Sequence, residues 1–193
     1  MTEKRPYHHG DLRRALLAAA AEAIAESGPA ALSLRDLARR AGVSHAAPAH
    51  HFGDKAGLLT ALAIEGFNRL ADALDTSRET TGSLLESGVA YVRFAAEHRA
   101  HFEVMFQPSL YDGEDAELVS ARDRSAAALS AGVSTLDEPP PAEESWQAEL
   151  AAWSIVHGFA TLWLSGAFLD DMGADAGEAA RPVIRRLFDD PTP

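Results

Sequence analysis

Hydroxyl, basic and imidazole side chains are concentrated between Ser33 and Lys55. Ser33 and Ser44 each precede a short run of helix-forming residues, as the N-cap of a helix does. The first turn of a helix carries unpaired backbone N–H groups and a positive dipole end, and both favour an anion such as phosphate. Arg35 and Lys55 add permanent positive charge, and His51 adds a hydrogen-bond donor. The segment is therefore predicted to bind phosphate groups.

The same segment has the spacing of a known structural motif. Two short capped helices separated by a turn that contains Gly42 are typical of a helix-turn-helix, whose second helix enters the major groove of double-stranded DNA. Alanine methyl groups suit the methyl group of thymine, and histidine can bond to purine acceptors. The residues predicted to read the bases are His45, Ala46, Ala47 and His50.

The net charge of the chain is −12, with 17 Lys and Arg against 29 Asp and Glu in 193 residues. Such an excess of acid argues against nucleic acid as a partner. The charge is divided, however, because residues 1–60 carry eight basic and six acidic residues, a net charge of +2, and the remainder carries −14. Lys4 and Arg5 could extend the basic region as a mobile arm in the minor groove. The pattern predicts a mildly basic head and an acidic body with separate tasks.

Every long segment has helical periodicity, and none alternates with a period of two, so the sequence predicts an all-α fold of about nine helices. The fourth helix would be on the order of 35 Å long, enough to bridge two domains. The predicted domains are residues 1–55, which bind DNA, and residues 56–193, which bind an effector and dimerise. The predicted helices are 11–27, 34–41, 44–52, 54–77, 81–97, 99–106, 114–133, 143–169 and 175–188.

Several classes of protein are excluded by what the sequence lacks. Without cysteine it has no disulfide framework, no thiolate zinc site and no Cys nucleophile. It also has no G-x-S-x-G elbow and no Gly-rich phosphate loop, so we expect no enzyme. His98 and His101 could chelate a metal across one helical turn, but the sequence fixes no third ligand. We therefore expect neither a metal nor a cofactor.

Residues 150–169 form the one stretch long and uncharged enough to suggest a membrane span. No Lys or Arg flanks it, and Ser154, Gly158 and Ser165 lie in a polar, small-residue stripe, so a buried or subunit-interface helix is favoured. The segment Met1–Asp11 is too polar for a signal peptide. These features predict a cytoplasmic protein. The alternative is a helical protein-interaction or membrane-associated module that does not bind DNA.

The head resembles the DNA-binding domain of TetR/AcrR-type transcriptional regulators over about 50 residues, Asp11 to Leu62. The matching positions are Ser33 to Ala38, Ala41-Gly42-Val43-Ser44, His51-Phe52, Lys55 and Leu58-Leu59. Trp153, His157 and Gly158 resemble a subset of that family with a Trp, His-Gly signature.

The resemblance implies a regulator, expected to be a repressor, that a small-molecule effector releases from a palindromic operator. Ala49 departs from the family, which usually has an aromatic residue there to contact the DNA backbone. Pro48 departs from a helix that begins after Ser44, because it would lie past the first turn and remove a backbone donor. Either the third helix is very short or its start is shifted.

The acidic body is expected to supply the effector pocket, because pockets are mostly apolar with a few polar groups. Core packing is the alternative for each of these side chains. The predicted pocket residues are Phe94, Phe102, Met105, Phe106, Trp153, His157 and Trp163, with Tyr91 and Phe159 as further aromatic residues of the same helices. Two copies are expected to form a homodimer through a four-helix bundle of the last two helices. The apolar set of the last helix is Ala176, Ala179, Ala180, Val183, Ile184 and Leu187.

Overall fold

The computed structural model of the chain describes residues 9–136, 141, 143–168 and 172–186. These residues form nine α-helices and no strand, which confirms the predicted all-α class. The first five helices are α1 (His9–Ala31), α2 (Leu34–Arg40), α3 (Ala47–Phe52), α4 (Lys55–Thr81) and α5 (Leu84–Glu97). The others are α6 (Arg99–Met105), α7 (Ala116–Val133), α8 (Ser145–Leu164) and α9 (Ala176–Arg185), with a 3₁₀ turn at Pro108–Leu110.

The helix ends follow local sequence signals. The regular part of α1 stops at Gly28, whose φ of 75° and ψ of 163° are not helical, as the Gly28-Pro29 pair predicts. Helix α5 begins three residues later than predicted, because Ser83 is its N-cap and accepts a hydrogen bond from the Glu86 N–H at 3.4 Å. Helix α4 continues to Thr81, four residues past its predicted end.

The chain divides into two compact units. The head unit comprises residues up to Glu65 and residues 100–119, and the body unit comprises residues 66–99 and those from Ser120 onward. This division differs from a single boundary at residue 55, because the segment after α5 belongs to the head unit. The Asp112 N–H donates to Thr60 Oγ1 at 3.1 Å and so joins this segment to α4. Within the segment, the Tyr111 hydroxyl donates to the Met105 carbonyl at 2.7 Å.

Each unit has its own apolar core. In the head unit the core side chains come from α1, α2, α4, α6 and α7, and the most completely buried include Leu16, Leu37, Leu58, Val104 and Leu118. In the body unit α5 packs against both α8 and α9. The most completely buried side chains there are Val89, Val92 and Ile184.

The apolar face of α9 is used within the body unit. Ala176, Ala179, Ala180 and Ile184 are buried, whereas Val183 is 42% exposed. The prediction that this whole set faces a second subunit is therefore wrong, because α5 already covers most of it. Leu187 lies outside the described residues.

Ion pairs reinforce the contact between α5 and α9. Arg93 lies 3.3 Å from Asp175 and 2.7 Å from Glu178. Arg181 bonds to both carboxylate oxygens of Glu86 and to Glu178. The hydrogen bonds from Arg181 are the main cause that lowers the pKa of Glu86 below its ordinary value.

None of the helices in the described ranges is long and apolar enough to cross a membrane. This includes the described part of the stretch at 150–169, in which α8 ends at Leu164. Leu169 itself lies outside the described residues.

We predict that the Glu86→Gln variant is less stable than the parent at pH 7 by about 1 kcal/mol, because one partly exposed, multiply bonded ion pair is lost. Since the pKa of Glu86 is lowered in the folded state, its contribution is present above about pH 4.5 and lost as pH falls through the lowered pKa. Urea unfolding at a series of pH values should therefore show the two proteins converging in acid. Glu97→Gln, at an exposed position of the same helix, is the control. A constant difference between parent and Glu86→Gln down to about pH 2.5 would contradict the assignment.

Candidate functional site

The α2–α3 segment has helix-turn-helix geometry. Helix α2 ends at Arg40 and α3 begins at Ala47, and Gly42 in the turn has a φ of 66°, which favours glycine. Ser33 is the N-cap of α2 with extended backbone, as predicted, but its side chain makes no capping hydrogen bond.

The predicted start of the third helix is wrong. Ala46, not Ser44, is the N-cap of α3, and Ser44 lies in the preceding turn, where its carbonyl accepts from the Ala47 N–H at 3.0 Å. The later start places Pro48 in the first helical turn, where its missing N–H leaves no hydrogen bond unmade. Helix α3 is therefore both shifted and short, with six residues and a length of about 9 Å. An anion site at its N-terminus, predicted from Ser44 as the cap, does not follow from this geometry.

Most of the predicted DNA-contacting residues lie at the surface of the head unit. The exposed ones are Arg35, Ser44, His45, Ala46, Ala49 and His50, which we call the reading surface. Ser33, Ala47, His51 and Lys55 are half-buried. Ala46, the N-cap of α3, shares one face with Ala49 and His50 by helical spacing, whereas Pro48 is buried.

Two basic side chains near this surface bind within the head unit. The Lys55 ammonium donates to the Ala30 carbonyl at 2.9 Å. Arg40 binds both carboxylate oxygens of Glu26, at 3.0 and 2.6 Å. This ion pair raises the pKa of Arg40 and lowers that of Glu26, chiefly through the hydrogen bonds. No local sequence pattern pairs Arg40 with a residue 14 positions earlier, so only the tertiary structure shows this ion pair.

A cation–π contact links α1 to the end of α3. The Arg13 guanidinium carbon lies 5.3 Å from the centroid of the Phe52 ring. Such contacts contribute about 0.5–1 kcal/mol at exposed sites. Only the tertiary structure shows that Arg13 contacts the end of the third helix. Lys4 and Arg5, the predicted basic arm, lie outside the described residues.

The junction between α3 and α4 is tight. Asp54 caps α4, since its Oδ1 accepts from the Gly57 N–H at 2.9 Å. A Cβ atom added at Gly57 would overlap the carbonyl oxygen of Phe52. The end of α3 therefore lies directly against the first turn of α4, where only glycine fits.

In the body unit a buried hydroxyl joins α5 to α8. The Tyr91 side chain is 3% exposed, and its hydroxyl lies 2.9 Å from His157 Nδ1 and accepts from the Trp153 indole N–H at 3.2 Å. Burial lowers the pKa of His157 and raises that of Tyr91, so both groups are neutral at neutral pH. The hydroxyl proton is then best placed on the bond to Nδ1, which makes His157 the Nε2–H tautomer.

The predicted pocket residues fall in different units. Phe94, Trp153, His157 and Trp163 belong to the body unit, and Phe102, Met105 and Phe106 belong to the head unit. Phe102 and Met105 are core residues, with the Phe102 and Phe106 rings 5.1 Å apart. A small apolar cavity in the body unit is lined by none of the seven, but by Tyr91. The sequence marked Tyr91 as aromatic but carried no signal that its hydroxyl would bond to two of the predicted residues.

Among the described side chains, no group of three or more His, Cys, Asp or Glu could hold a metal ion. His98 and His101, which are three residues apart, therefore belong to no group of three possible metal ligands among the described side chains.

Comparison with known proteins gives two family matches. A profile described as "Tetracyclin repressor-like, C-terminal domain" matches residues 84–187, more than half of the chain. A second, described as "Bacterial regulatory proteins, tetR family", matches residues 16–62 and so covers the α2–α3 segment. This chain belongs to the TetR family. It is a TetR-type DNA-binding transcriptional regulator, and the alternative of a helical module that does not bind DNA is not favoured.

Individual proteins are similar to this chain in sequence, in fold or in both. A protein of unknown function from Rhodococcus sp. RHA1 has 36% identity, a TM-score of 0.77 and coverage of 96% of this chain and 97% of its own. The TetR family regulator PfmR from Thermus thermophilus has 26% identity, a TM-score of 0.68 and coverage of 89% and 96%. The HTH-type transcriptional repressor Rv3405c of Mycobacterium tuberculosis is 42% identical over 59 residues, which are 31% of each chain. The resemblance of Trp153, His157 and Gly158 to one subset of the family stays a prediction.

We predict that Gly57→Ala destabilises the protein by about 2 kcal/mol, because the new methyl group must displace the end of α3. The matched control is Gly113→Ala in the same head unit, where a Cβ atom would meet nothing within 4 Å and should change stability by less than about 0.5 kcal/mol. Chemical denaturation measures both. Equal stability of the two variants would contradict the tight α3–α4 junction.

Proposed function

We propose that this TetR-family chain is a cytoplasmic repressor that binds a near-palindromic operator as a homodimer and leaves it when a small-molecule effector binds the body unit. The observation that carries the proposal is the reading surface, which lies on a helix-turn-helix inside the segment matched by the family's DNA-binding profile. We also infer that the protein acts by binding and not as an enzyme.

The proposed contacts divide into two kinds. Residues expected at phosphates position the protein, and residues expected at base edges give sequence preference. The phosphate set is Ser33, Arg35, Ser44, His51 and Lys55, and the base set is His45, Ala46, Ala47 and His50. Ala49 shares the exposed face of α3 with His50, so its methyl group would contact the backbone or a thymine where an aromatic residue is usual in the family.

Lys55 can serve the head unit and DNA together. Its ammonium has three donors, and the Ala30 carbonyl uses one. A phosphate can take a second without breaking the internal bond. In this proposal Lys55 fixes the start of α4 against the end of α1 while it contacts the operator.

We predict that Lys55→Ala weakens binding to all DNA sequences by a similar factor and reduces the slope of log K against log[salt] by about one. His45→Ala should instead reduce the preference for the operator over random DNA, with little change in salt slope. Fluorescence anisotropy over a range of salt measures both. Arg122→Ala is the control, since it removes the same charge from an exposed site in the body unit. Indistinguishable behaviour of the Lys55 and His45 variants would sink the division of roles.

A second copy of the chain is the proposed occupant of one face of α8. Leu150, Ala151, Ser154, Thr161 and Leu162 are exposed and lie on one side of α8 by helical spacing. Leu150 and Leu162 are each 48% exposed, so this face presents two large aliphatic side chains to solvent. Small residues between them allow two helices to approach closely. Two copies joined by a two-fold axis would present two heads to two half-sites.

We predict that Leu150→Glu converts the dimer to a monomer at micromolar concentration, because it places a charge in the apolar contact. Val119→Glu is the matched control, since Val119 is an exposed valine outside the α8 face. Light scattering coupled to gel filtration gives the masses, and operator affinity should fall with the loss of the dimer. A parent protein that is monomeric without DNA would overturn the dimer proposal.

The effector must bind the DNA-free state more tightly than the DNA-bound state. Operator and effector are thermodynamically linked, so each weakens the binding of the other by the same factor. Helix α4 is the proposed connection, because its residues contribute to the head unit up to Glu65 and to the body unit from Gly66. Trp153 and His157 would influence the effector through the hydroxyl of Tyr91.

A further inference from the structure

The body unit contains a small cavity that is lined by residues of α4, α5, α7, α8 and α9. Its volume is about 20 Å³, which is room for about one water molecule. Its aliphatic walls include Leu74, Leu84, Leu129, Val156 and Ile184. No acidic, basic or imidazole side chain lines it among the described residues.

Two hydroxyl-bearing residues line the cavity, but both hydroxyls are bonded to protein partners. Ser87 Oγ donates to the Ser83 carbonyl at 3.2 Å, one turn earlier in the chain. The Tyr91 hydroxyl is bonded to His157 and Trp153, as described above. Because both protons are given to the protein, a ligand that only accepts hydrogen bonds gains none at either group.

The lining of the cavity does not favour an anionic ligand. Two arginines of the surrounding helices are already paired, Arg181 with Glu86 and Glu178, and Arg93 with Asp175 and Glu178. Because no basic side chain lines the cavity among the described residues, an ionised carboxylate there would lose its hydration without gaining a counter-ion, which is costly. An apolar molecule loses nothing of this kind and gains dispersion contacts and release from water.

We propose that this cavity is the effector site and that it takes a small, uncharged, hydrocarbon-like molecule, such as an alkylated aromatic ring, in preference to a carboxylate. This assignment of a ligand class rests on the proposed function, since it names the effector of that regulator. The hydroxyl of Tyr91 stays with His157 and Trp153, and the ligand meets the ring and the aliphatic walls.

Because the cavity is small, a ring-sized ligand would have to change the conformation of the body unit in order to bind. A ring-sized molecule does not fit in about 20 Å³, so it binds a state in which the cavity walls have moved apart. Ligand binding then shifts the population toward that state by its differential affinity. Leu74 is the wall residue from α4, the helix that starts at Lys55 beside the reading surface. In this proposal the bound ligand displaces Leu74, and α4 transmits that displacement to the head unit.

Toluene and benzoate test the proposal on the full-length protein. We expect saturable binding of toluene, detected by tryptophan fluorescence and by a rise in Tm, and binding of benzoate that is weaker by about tenfold or more. Benzoate binding as tightly as toluene, or no binding of toluene, would overturn the ligand class.

Variants locate the binding site. Ala128→Leu fills the cavity and should weaken toluene binding by about tenfold or more, whereas Ala127→Leu, at the exposed neighbouring position, should not change it. Leu129→Ala enlarges the cavity and should strengthen binding several-fold. If Ala128→Leu also lowers the stability of the protein, the Leu129→Ala variant decides where toluene binds. Weaker or unchanged toluene binding by Leu129→Ala would show that toluene binds elsewhere and would overturn the proposal.

Operator binding is measured separately, without any ligand, by selecting bound fragments from sheared genomic DNA. Specific DNA binding that toluene does not weaken, with toluene bound, would reject the cavity as the effector site and leave the regulator intact. Toluene binding by a protein that selects no DNA would reject the proposed function and, with it, the cavity as an effector site. Release of selected DNA by toluene in the parent, but not in Ala128→Leu, is the expected result.

Discussion

The missing N–H of Pro48 is the constraint on which the reading surface depends. A proline is tolerated in the first turn of a helix and costly beyond it, so α3 begins at Ala47. That start leaves Ser44 and His45 in the turn and places Ala46, Ala49 and His50 at the surface. A helix with its cap at Ser44 would have needed a hydrogen bond from the nitrogen of Pro48, which has no hydrogen to give.

Internal use of charge is the second feature that shapes the head unit. Lys55, Arg40 and Arg13 bind a carbonyl, a carboxylate and an aromatic ring in the head unit itself. Part of its small basic excess therefore stabilises the arrangement of α1 to α4. With so little additional charge, we expect tight DNA binding to require both heads of the proposed dimer and low to moderate salt.

The body unit separates its polar and apolar surfaces in a different way. Ion pairs fasten α9 to α5 at the surface, and the hydroxyl of Tyr91 is bonded between α5 and α8, while the small cavity that these helices share with α4 and α7 has mostly apolar walls. The exposed α8 face carries large aliphatic side chains that no element of the described protomer covers. Ligand and second copy are thus proposed at two distinct apolar surfaces of one unit.

The sequence alone determined the all-α class and the helix-turn-helix, because helical periodicity, capping residues and turn glycines act over a few neighbouring positions. The family was indicated separately, by the resemblance of the residues between Asp11 and Leu62 to TetR/AcrR-type regulators. It also indicated the cap of α4 at Asp54 and offered the shifted start of α3 as one of two options. Only the tertiary structure decided that Arg13 contacts Phe52, that the apolar face of α9 packs on α5, and that Tyr91 joins Trp153 to His157. Tyr91 lies 62 and 66 positions from those two residues, and local patterns carry no information about pairings over such distances or about which helix covers a given face.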